Sequence, residues 1–279
     1  MSTLTTYTRA ALPLVPGASL LPFVAGRGKE MPALERRLDG VRVDPTHLAD
    51  YARVCGFTLR DTLPATYLHM PAFPLHMQLM TDGKFPFPAV GLVHLENRIT
   101  VHRPARVSET FDLLVKTTPI EPHPKGKTFA LVSEARVDGE LVWEERSTML
   151  RRGKGSGEST RRDERPLPDG AGVAWKLPEN LGRKYGAVSG DRNPIHIHPY
   201  TAKLFGFPRA IAHGMWTKAR CLAALEPLPD AYTVDVTFKK PIFLPGRVMF
   251  VSTHEGRTDF AVRSAKSPDT IHLEGTVTP

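Results

Sequence analysis

The alternation of apolar and polar positions divides the chain into two similar programmes. In the second, residues 213–226 (HGMWTKARCLAALE) lack Gly and Pro after Gly214 and are rich in helix formers, which predicts a helix. Its apolar positions, Met215, Trp216, Ala219, Leu222, Ala223 and Leu225, cover much of the circumference, so the helix is expected to be largely buried. Pro227 and Pro229 stop it. Strands follow. Residues 232–239 alternate, with Val234, Val236 and Phe238 on one face, and 248–253 come after a Pro245-Gly246 turn. Residues 260–265 and 271–277 complete the set. The first programme again puts a helical region ahead of strands, at 91–101, 110–117, 127–137 and 141–150. Helix first and antiparallel strands after is an α+β pattern. One buried helix against each sheet is the simplest packing, and two copies joined edge to edge would cover strands that each alone leaves open.

Short matches in the same order support a duplication. Tyr51-Ala-Arg-Val-Cys-Gly56 resembles Tyr185-Gly-Ala-Val-Ser-Gly190 at a displacement of 134, and Phe73-Pro74 matches Phe207-Pro208 at the same displacement. Arg103-Pro-Ala-Arg-Val107 resembles Leu244-Pro-Gly-Arg-Val248, and Val93-His-Leu-Glu96 resembles Val234-Asp-Val-Thr237, both displaced by 141. Between the copies, residues 151–170 hold almost no large apolar side chain and read as a polar linker. The expected organisation is a first repeat in 1–150, the linker in 151–170 and a second repeat in 171–279. Residues 10–25 are apolar but cut by Pro13, Pro16 and Pro22, so an irregular surface arm is favoured over a signal peptide.

Composition narrows the classes. At 41% hydrophobic residues, the 279-residue chain has ample material for a core, which excludes wholesale disorder. Two cysteines, Cys55 and Cys221, exclude a disulfide scaffold, and their apolar neighbours suggest buried, inert thiols. No apolar run reaches the ~20 residues of a membrane span, so a cytoplasmic location is expected. Of the +8 formal charge, residues 171–279 carry +5, a surface suited to anions. No nucleic-acid module accompanies it, and nucleic acid is not expected as a partner.

The densest polar cluster is residues 185–201, YGAVSGDRNPIHIHPYT, ahead of a short helical stretch at 200–205. Ser189-Gly190 and Asn193-Pro194 mark turns, which puts Asp191, Asn193 and His196 on a loop or at a helix start. A carboxylate beside an imidazole can work as an acid/base pair. Plainer readings stay open, because Asp191 could cap a turn and His196 could be a satisfied, partly buried histidine. A metal is disfavoured. Pro194 and Pro199 break the strand that His196 and His198 would need, and no third ligand is evident nearby.

The run Tyr185-x-x-Val188-Ser189-Gly190-Asp191-x-Asn193-Pro194-Ile195-His196 resembles the signature of the hydratase 2, or MaoC-like dehydratase, family. Phe207-x(5)-His213-Gly214-Met215 resembles that family's second landmark, which opens the central helix of a hot-dog fold. The catalytic match covers about the last third of the chain. The duplicated layout is similar to two-hot-dog members that dehydrate 3-hydroxyacyl thioesters. The resemblance implies a double hot-dog fold with Asp191 and His196 as the catalytic pair. It further implies that Asn193 positions them or a water, and that the Gly214 N–H binds the thioester carbonyl. It implies reversible syn hydration of trans-2-enoyl thioesters to (R)-3-hydroxyacyl thioesters, with no metal, nicotinamide or flavin. Coenzyme A or the phosphopantetheine of an acyl-carrier protein would enter only as part of the substrate.

The first repeat departs from the motif. Phe57 aligns with Asp191 and Thr62 with His196, and Phe73-Pro-Leu-His-Met77 stands where His-Gly would precede the helix. One active site is expected, with the degenerate half shaping the acyl tunnel and His69 and His76 as ordinary histidines. The chain would be a monomeric pseudo-dimer or a homodimer. The rival readings are a hot-dog thioesterase, which lacks the Asp-x-Asn-Pro-x-His run, and a non-catalytic acyl-binding or partner subunit, which would have lost Asp191 or His196.

Overall fold

A computed structural model of the chain describes residues 30–156, 168 and 172–279. The apolar arm at 10–25 and most of the polar linker lie outside the described residues. In chain order the elements are β1 (Glu35–Arg42), α1 (Pro45–Cys55), α2 (His69–Met80), β2 (Leu92–Val101), β3 (Thr110–Thr117), β4 (Glu121–His123), β5 (Gly126–Val137) and β6 (Glu140–Arg152). They continue with β7 (Val173–Leu177), α3 (Leu181–Ser189), α4 (Pro194–Ile197), α5 (Pro199–Leu204), α6 (Gly214–Leu225), β8 (Tyr232–Phe238), β9 (Gly246–Glu255), β10 (Arg257–Ser264) and β11 (Ile271–Thr278). The strands expected from alternation are all present. β6 runs two residues past position 150, into the segment read as linker.

The strands form one 11-stranded sheet in the order β1-β3-β5-β6-β2-β8-β11-β10-β9-β7, with β4 on β5. The order is symmetric about its middle, where β2 of the first repeat pairs antiparallel with β8 of the second, from Glu96↔Thr237 to Val101↔Tyr232. Across this seam Arg98 donates to Asp235 at 2.8 Å, and the Thr100 and Thr233 hydroxyls meet at 3.1 Å. One apolar core runs beneath both halves, from Leu48, Tyr51 and Phe111 to Trp216, Leu222 and Phe260. Burying each such side chain contributes about 1.5–3 kcal/mol.

The repeats match locally as well. α1 and α3 both end on a left-handed glycine, Gly56 at φ 84° and Gly190 at φ 72°, which confirms the displacement of 134 there. Asp44 starts α1, its Oδ1 accepting from the Thr46 and His47 amides, and Pro45 takes the first helical position. The Tyr51 and Tyr185 ring centres lie 6.4 Å apart, with the planes tilted by 50°. Both cysteines are free and buried, and burial pushes their thiols up, that of Cys55 to about 12.

Two of the sequence matches fail. Phe73-Pro74 does not precede a helix but lies inside α2, whereas Phe207-Pro208 lies in the loop before α6. An interior proline costs about 3 kcal/mol. The helix persists because it buries Met70, Ala72, Leu75, Met77, Leu79 and Met80. The Arg103–Val107 match is four residues out of register. The β-bridges Thr62↔Arg106 and Ile211↔Phe243 make Phe243 the counterpart of Arg106.

His69 and His76 are core histidines, one of the two ordinary readings, but they belong to a polar network that nothing in their local sequence signals. Glu145 on β6 accepts from His69 Nδ1 at 2.9 Å and from Asn97 Nδ2 at 2.6 Å. His76 Nε2 meets Ser133 Oγ at 2.7 Å. Lys218, from α6 of the other repeat, donates to Asn97 Oδ1 at 2.5 Å, Asn97 O at 3.1 Å and Val234 O at 3.2 Å. Three acceptors match the three protons of an ammonium. Burial works against Glu145 ionising, but His69, His76 and the Asn97 amide overcome it and hold the carboxyl below its usual range. Burial also drives His76 down to about 3 and His94 to about 4, so both stay neutral.

These groups make the protein acid-sensitive. The unfolded chain protonates His76 and His94 below their ordinary value of 6.5, while the native state resists. The unfolded chain also protonates Glu145 near 4.5, before the folded chain does. The unfolded state therefore binds more protons, and stability falls as the pH is lowered. Thermal melts from pH 6.5 to 4.5 should show a steadily falling Tm, with a shallower slope in His76→Gln. A flat Tm would contradict the arrangement.

Candidate active site

The polar cluster read from the sequence is built on a glycine face of α3. A Cβ on Gly182 would lie 1.8 Å from the His196 carbonyl oxygen, and one on Gly186 would lie 2.8 Å from that of Asp191. Four residues apart, these glycines share one side of the helix. They let the main chain carrying both functional residues lie directly against it.

Each step after α3 is pinned locally. The Asp191 N–H donates to Ser189 Oγ at 3.1 Å, and Asp191 Oδ1 in turn accepts the Asn193 N–H at 3.1 Å. Asn193 caps α4, its Oδ1 accepting from the Ile195 amide at 3.3 Å, with Pro194 at the first helical position. The Ile211 amide donates to Ile195 O at 3.1 Å, which ties α4 to the strand-like stretch before α6.

His196 is buried, and its Nδ1 lies 2.8 Å from the Ile211 carbonyl oxygen. A carbonyl only accepts, so Nδ1 carries the proton and Nε2 keeps its lone pair. His213 stacks on this ring with centroids 3.7 Å apart and planes at 25°. Its Nε2–H donates to the Asp191 carbonyl at 3.0 Å and lies 3.7 Å from Asp191 Oδ2. Burial lowers the His196 pKa against the pull of Asp191. Burial and the neighbouring His196 ring push His213 down to about 3. Both rings are neutral near pH 7.

His213 also precedes α6 without capping it through its side chain, so the first-turn N–H groups, beginning with Gly214, have no side-chain cap. A Cβ on Gly214 would come within 2.9 Å of the Phe238 ring. Two further polar atoms here, His213 Nδ1 and Tyr185 Oη, are buried without a hydrogen-bond partner in the chain, and the two rings lie 4.9 Å apart.

The fold therefore brings together Asp191, His196 and the loop shaped by Asn193, and adds His213, Gly182 and Gly186. His213 was visible only as a landmark beside Gly214. The glycines carry no sequence signal, since their importance is a close approach of main chains distant along the sequence. His198 stays exposed and caps α5, accepting from the Tyr200 amide at 3.3 Å.

The expectation that no third ligand lies near His196 does not hold. Asp191, His196 and His213 each place a ligand atom within 4.8 Å of the others. The geometry still disfavours a cation, because near-parallel stacked rings point their lone pairs alongside each other rather than at one tetrahedral centre.

In the first repeat, 11 residues separate Gly56 from the helix cap Leu68, whereas 22 separate Gly190 from the helix cap His213. The difference equals the length of residues 194–204, which hold α4 and α5. Thr62 thus takes the place of Ile211, not of His196 as the alignment suggested. The first repeat lacks the segment that holds His196 rather than carrying altered residues in it.

Two helix-on-sheet repeats sharing one sheet make this a double hot-dog protein. Residues 161–275 match the family described as "MaoC like domain". Over 273 residues the chain is 37% identical to 3-hydroxyacyl-thioester dehydratase X of Mycobacterium tuberculosis, covering 96% of this chain and 93% of that protein. It is 32% identical to the peroxisomal enoyl-CoA hydratase 2 of Arabidopsis thaliana over 48% of each chain. The crystal structure of HtdX of Mycobacterium tuberculosis superposes with a TM-score of 0.77 and 34% identity, over 88% of this chain and 99% of that one. The chain belongs to the MaoC-like dehydratase family.

The glycine face gives a direct test. Gly182→Ala should displace the His196 main chain and lower dehydratase turnover at least ~10-fold in a chain that still folds. Gly190→Ala meets open space but adopts a left-handed φ, so it should instead cost about 1–2 kcal/mol in urea denaturation. Unchanged turnover in a folded Gly182→Ala protein would remove the glycine face from the site.

Proposed function

We infer that the protein is a hydro-lyase that interconverts trans-2-enoyl and (R)-3-hydroxyacyl thioesters. The observation that carries this reading is His196. It is neutral and buried, and its Nδ1 proton is committed to Ile211 O, so a free Nε2 lone pair stands beside Asp191 and the start of α6.

In hydration, water adds its oxygen to C3 of the enoyl group and gives a proton to His196 Nε2. The displaced electron pair moves to C2 and the thioester oxygen, where negative charge builds up. The Gly214 N–H at the helix N-terminus stabilises that charge. The His196 proton then passes to C2 on the same face, which restores the neutral ring. Dehydration reverses each step. Asp191 orients the water, and Asn193 shapes the turn that presents Asp191. The addition is redox-neutral and balances without a nicotinamide or flavin. Unpartnered Tyr185 Oη and His213 Nδ1 support a site built to receive a small polar group, since leaving such atoms buried and unpaired costs about 1–3 kcal/mol each.

One chain supplies both hot-dog halves, which supports the monomeric pseudo-dimer as the working unit. No helix among the described residues is long and apolar enough to cross a membrane. Two free cysteines suit a reducing cytoplasm.

The enoyl absorbance of crotonyl- and longer enoyl-CoA should fall on incubation with the wild type. Asp191→Ala and His196→Ala should each lose at least ~100-fold, the usual scale for a general acid/base. Unchanged rates in both folded variants would reject the site, and an (S)-alcohol product would reject the stereochemistry. Because burial holds His196 neutral below its ordinary pKa of 6.5, the acid limb of kcat/KM for hydration should lie under that value. An acid limb above it would mean that another group is the base.

A further inference from the structure

The acyl-thioester reading leaves open how the substrate arrives. We propose that the outer face of α5 is a docking surface for an acidic carrier-protein domain, which presents the acyl group on a phosphopantetheine arm.

Two large apolar side chains stand out on that face. Tyr200 is 74% exposed and Leu204 82%, above Leu38, Leu59 and Val173, the remaining exposed large hydrophobics among the described residues. Singly exposed apolar residues are ordinary. These two are four residues apart, on one side of a single helix. The helix under them is firmly held. The Thr201 hydroxyl reaches Pro194 O at 2.6 Å, Ala202 is fully buried, and the Phe205 and Phe207 amides bond to Ala202 O. A fixed helix with an uncovered apolar edge is suited to binding another surface.

The charge of the segment that carries it is one-sided. Within residues 181–213 the basic side chains are Arg183, Lys184, Arg192, Lys203 and Arg209, and all five are exposed. The one acidic residue in that span is Asp191, in the active site. Lys203 lies between the two apolar residues, its ammonium 5.8 Å from the Tyr200 ring centre. Apolar anchors with Lys203 beside them, in a segment whose exposed charges are all positive, complement an acidic protein surface with its own apolar contacts, and the charge would speed encounter. A free nucleotide would use the aromatic ring and the cations but would leave Leu204 without a role. The patch also belongs to the segment that carries His196 and that the first repeat lacks, so the docking face and the reacting group come together.

The test uses the full chain, with one enoyl group attached either to coenzyme A or to a purified acidic carrier protein. The variants are Tyr200→Ser/Leu204→Ser and Lys203→Glu, with folding checked by thermal melts. Each should lower kcat/KM on the carrier substrate at least ~10-fold and leave the coenzyme A substrate within about twofold. Added salt should weaken the wild type on the carrier substrate alone. Equal losses on both substrates would assign the patch to the nucleotide and overturn the proposal, and so would no loss on either. A wild-type dimer that becomes monomeric in the variants would make the face a self-interface. Anionic vesicles that bind the wild type but not the variants would make it a lipid contact. Either result overturns the docking proposal. A wild type active on enoyl-CoA but not on the carrier substrate would sink this inference and leave the thioester reading standing. Activity on neither would end both.

Discussion

The antiparallel pairing of β2 with β8 sets the geometry of everything else. Six residue pairs, from Glu96↔Thr237 to Val101↔Tyr232, turn two edge strands into the middle of one sheet. An unpaired edge would expose a row of hydrogen-bonding groups on each repeat. Joining them brings α1 beside α3, with the Tyr51 and Tyr185 rings tilted against each other, and lets Trp216 Nε1 reach the Val54 carbonyl at 3.0 Å. α6, with Gly214 at its start, is therefore positioned by both repeats.

The same seam explains why so much charge is buried near it. Lys218 leaves α6 and ends on Asn97 and Val234, one on each side of the joint. Asn97 passes the contact on to Glu145, and Glu145 to His69. A buried pair of this kind adds little net stability over well-packed apolar residues, but removing one partner is costly. Its effect here is to tie α6 to the first repeat in one register. The half without the His196 segment is thereby an electrostatic anchor for the half that has it.

The candidate site follows a similar economy of main-chain contacts. Carbonyls of Ile211 and Asp191 each take one imidazole proton, which sets the tautomers of His196 and His213. Burial keeps both rings neutral. In the proposed mechanism, a base that is neutral and oriented before substrate arrives needs little reorganisation during proton transfer.

Much of this was legible in the chain itself. The alternation and its bounding turns marked β2, β3, β5, β6 and β8 to β11, though not β1, β4 or β7, and an apolar-rich run between His213 and Pro227 marked α6. The turn residues around Asp191 and His196 identified the chemical segment, since Gly190, Asn193 and Pro194 dictate local backbone whatever surrounds them. Tertiary structure decided the rest. α2 forms through Pro74 because burial outweighs an interior proline. His69 and His76 become members of a charged network only once Lys218 arrives from the other repeat. Thr62 proves to be the counterpart of Ile211 only through its bridge to Arg106. His213 joins Asp191 and His196, and Gly182 and Gly186 become positions with no room for a side chain, because main chains separated in sequence meet at van der Waals distance. Local pattern reports what a segment does with its own backbone and the nearest face of the core. Contacts between segments depend on register and packing across the seam, and no single stretch of sequence contains those.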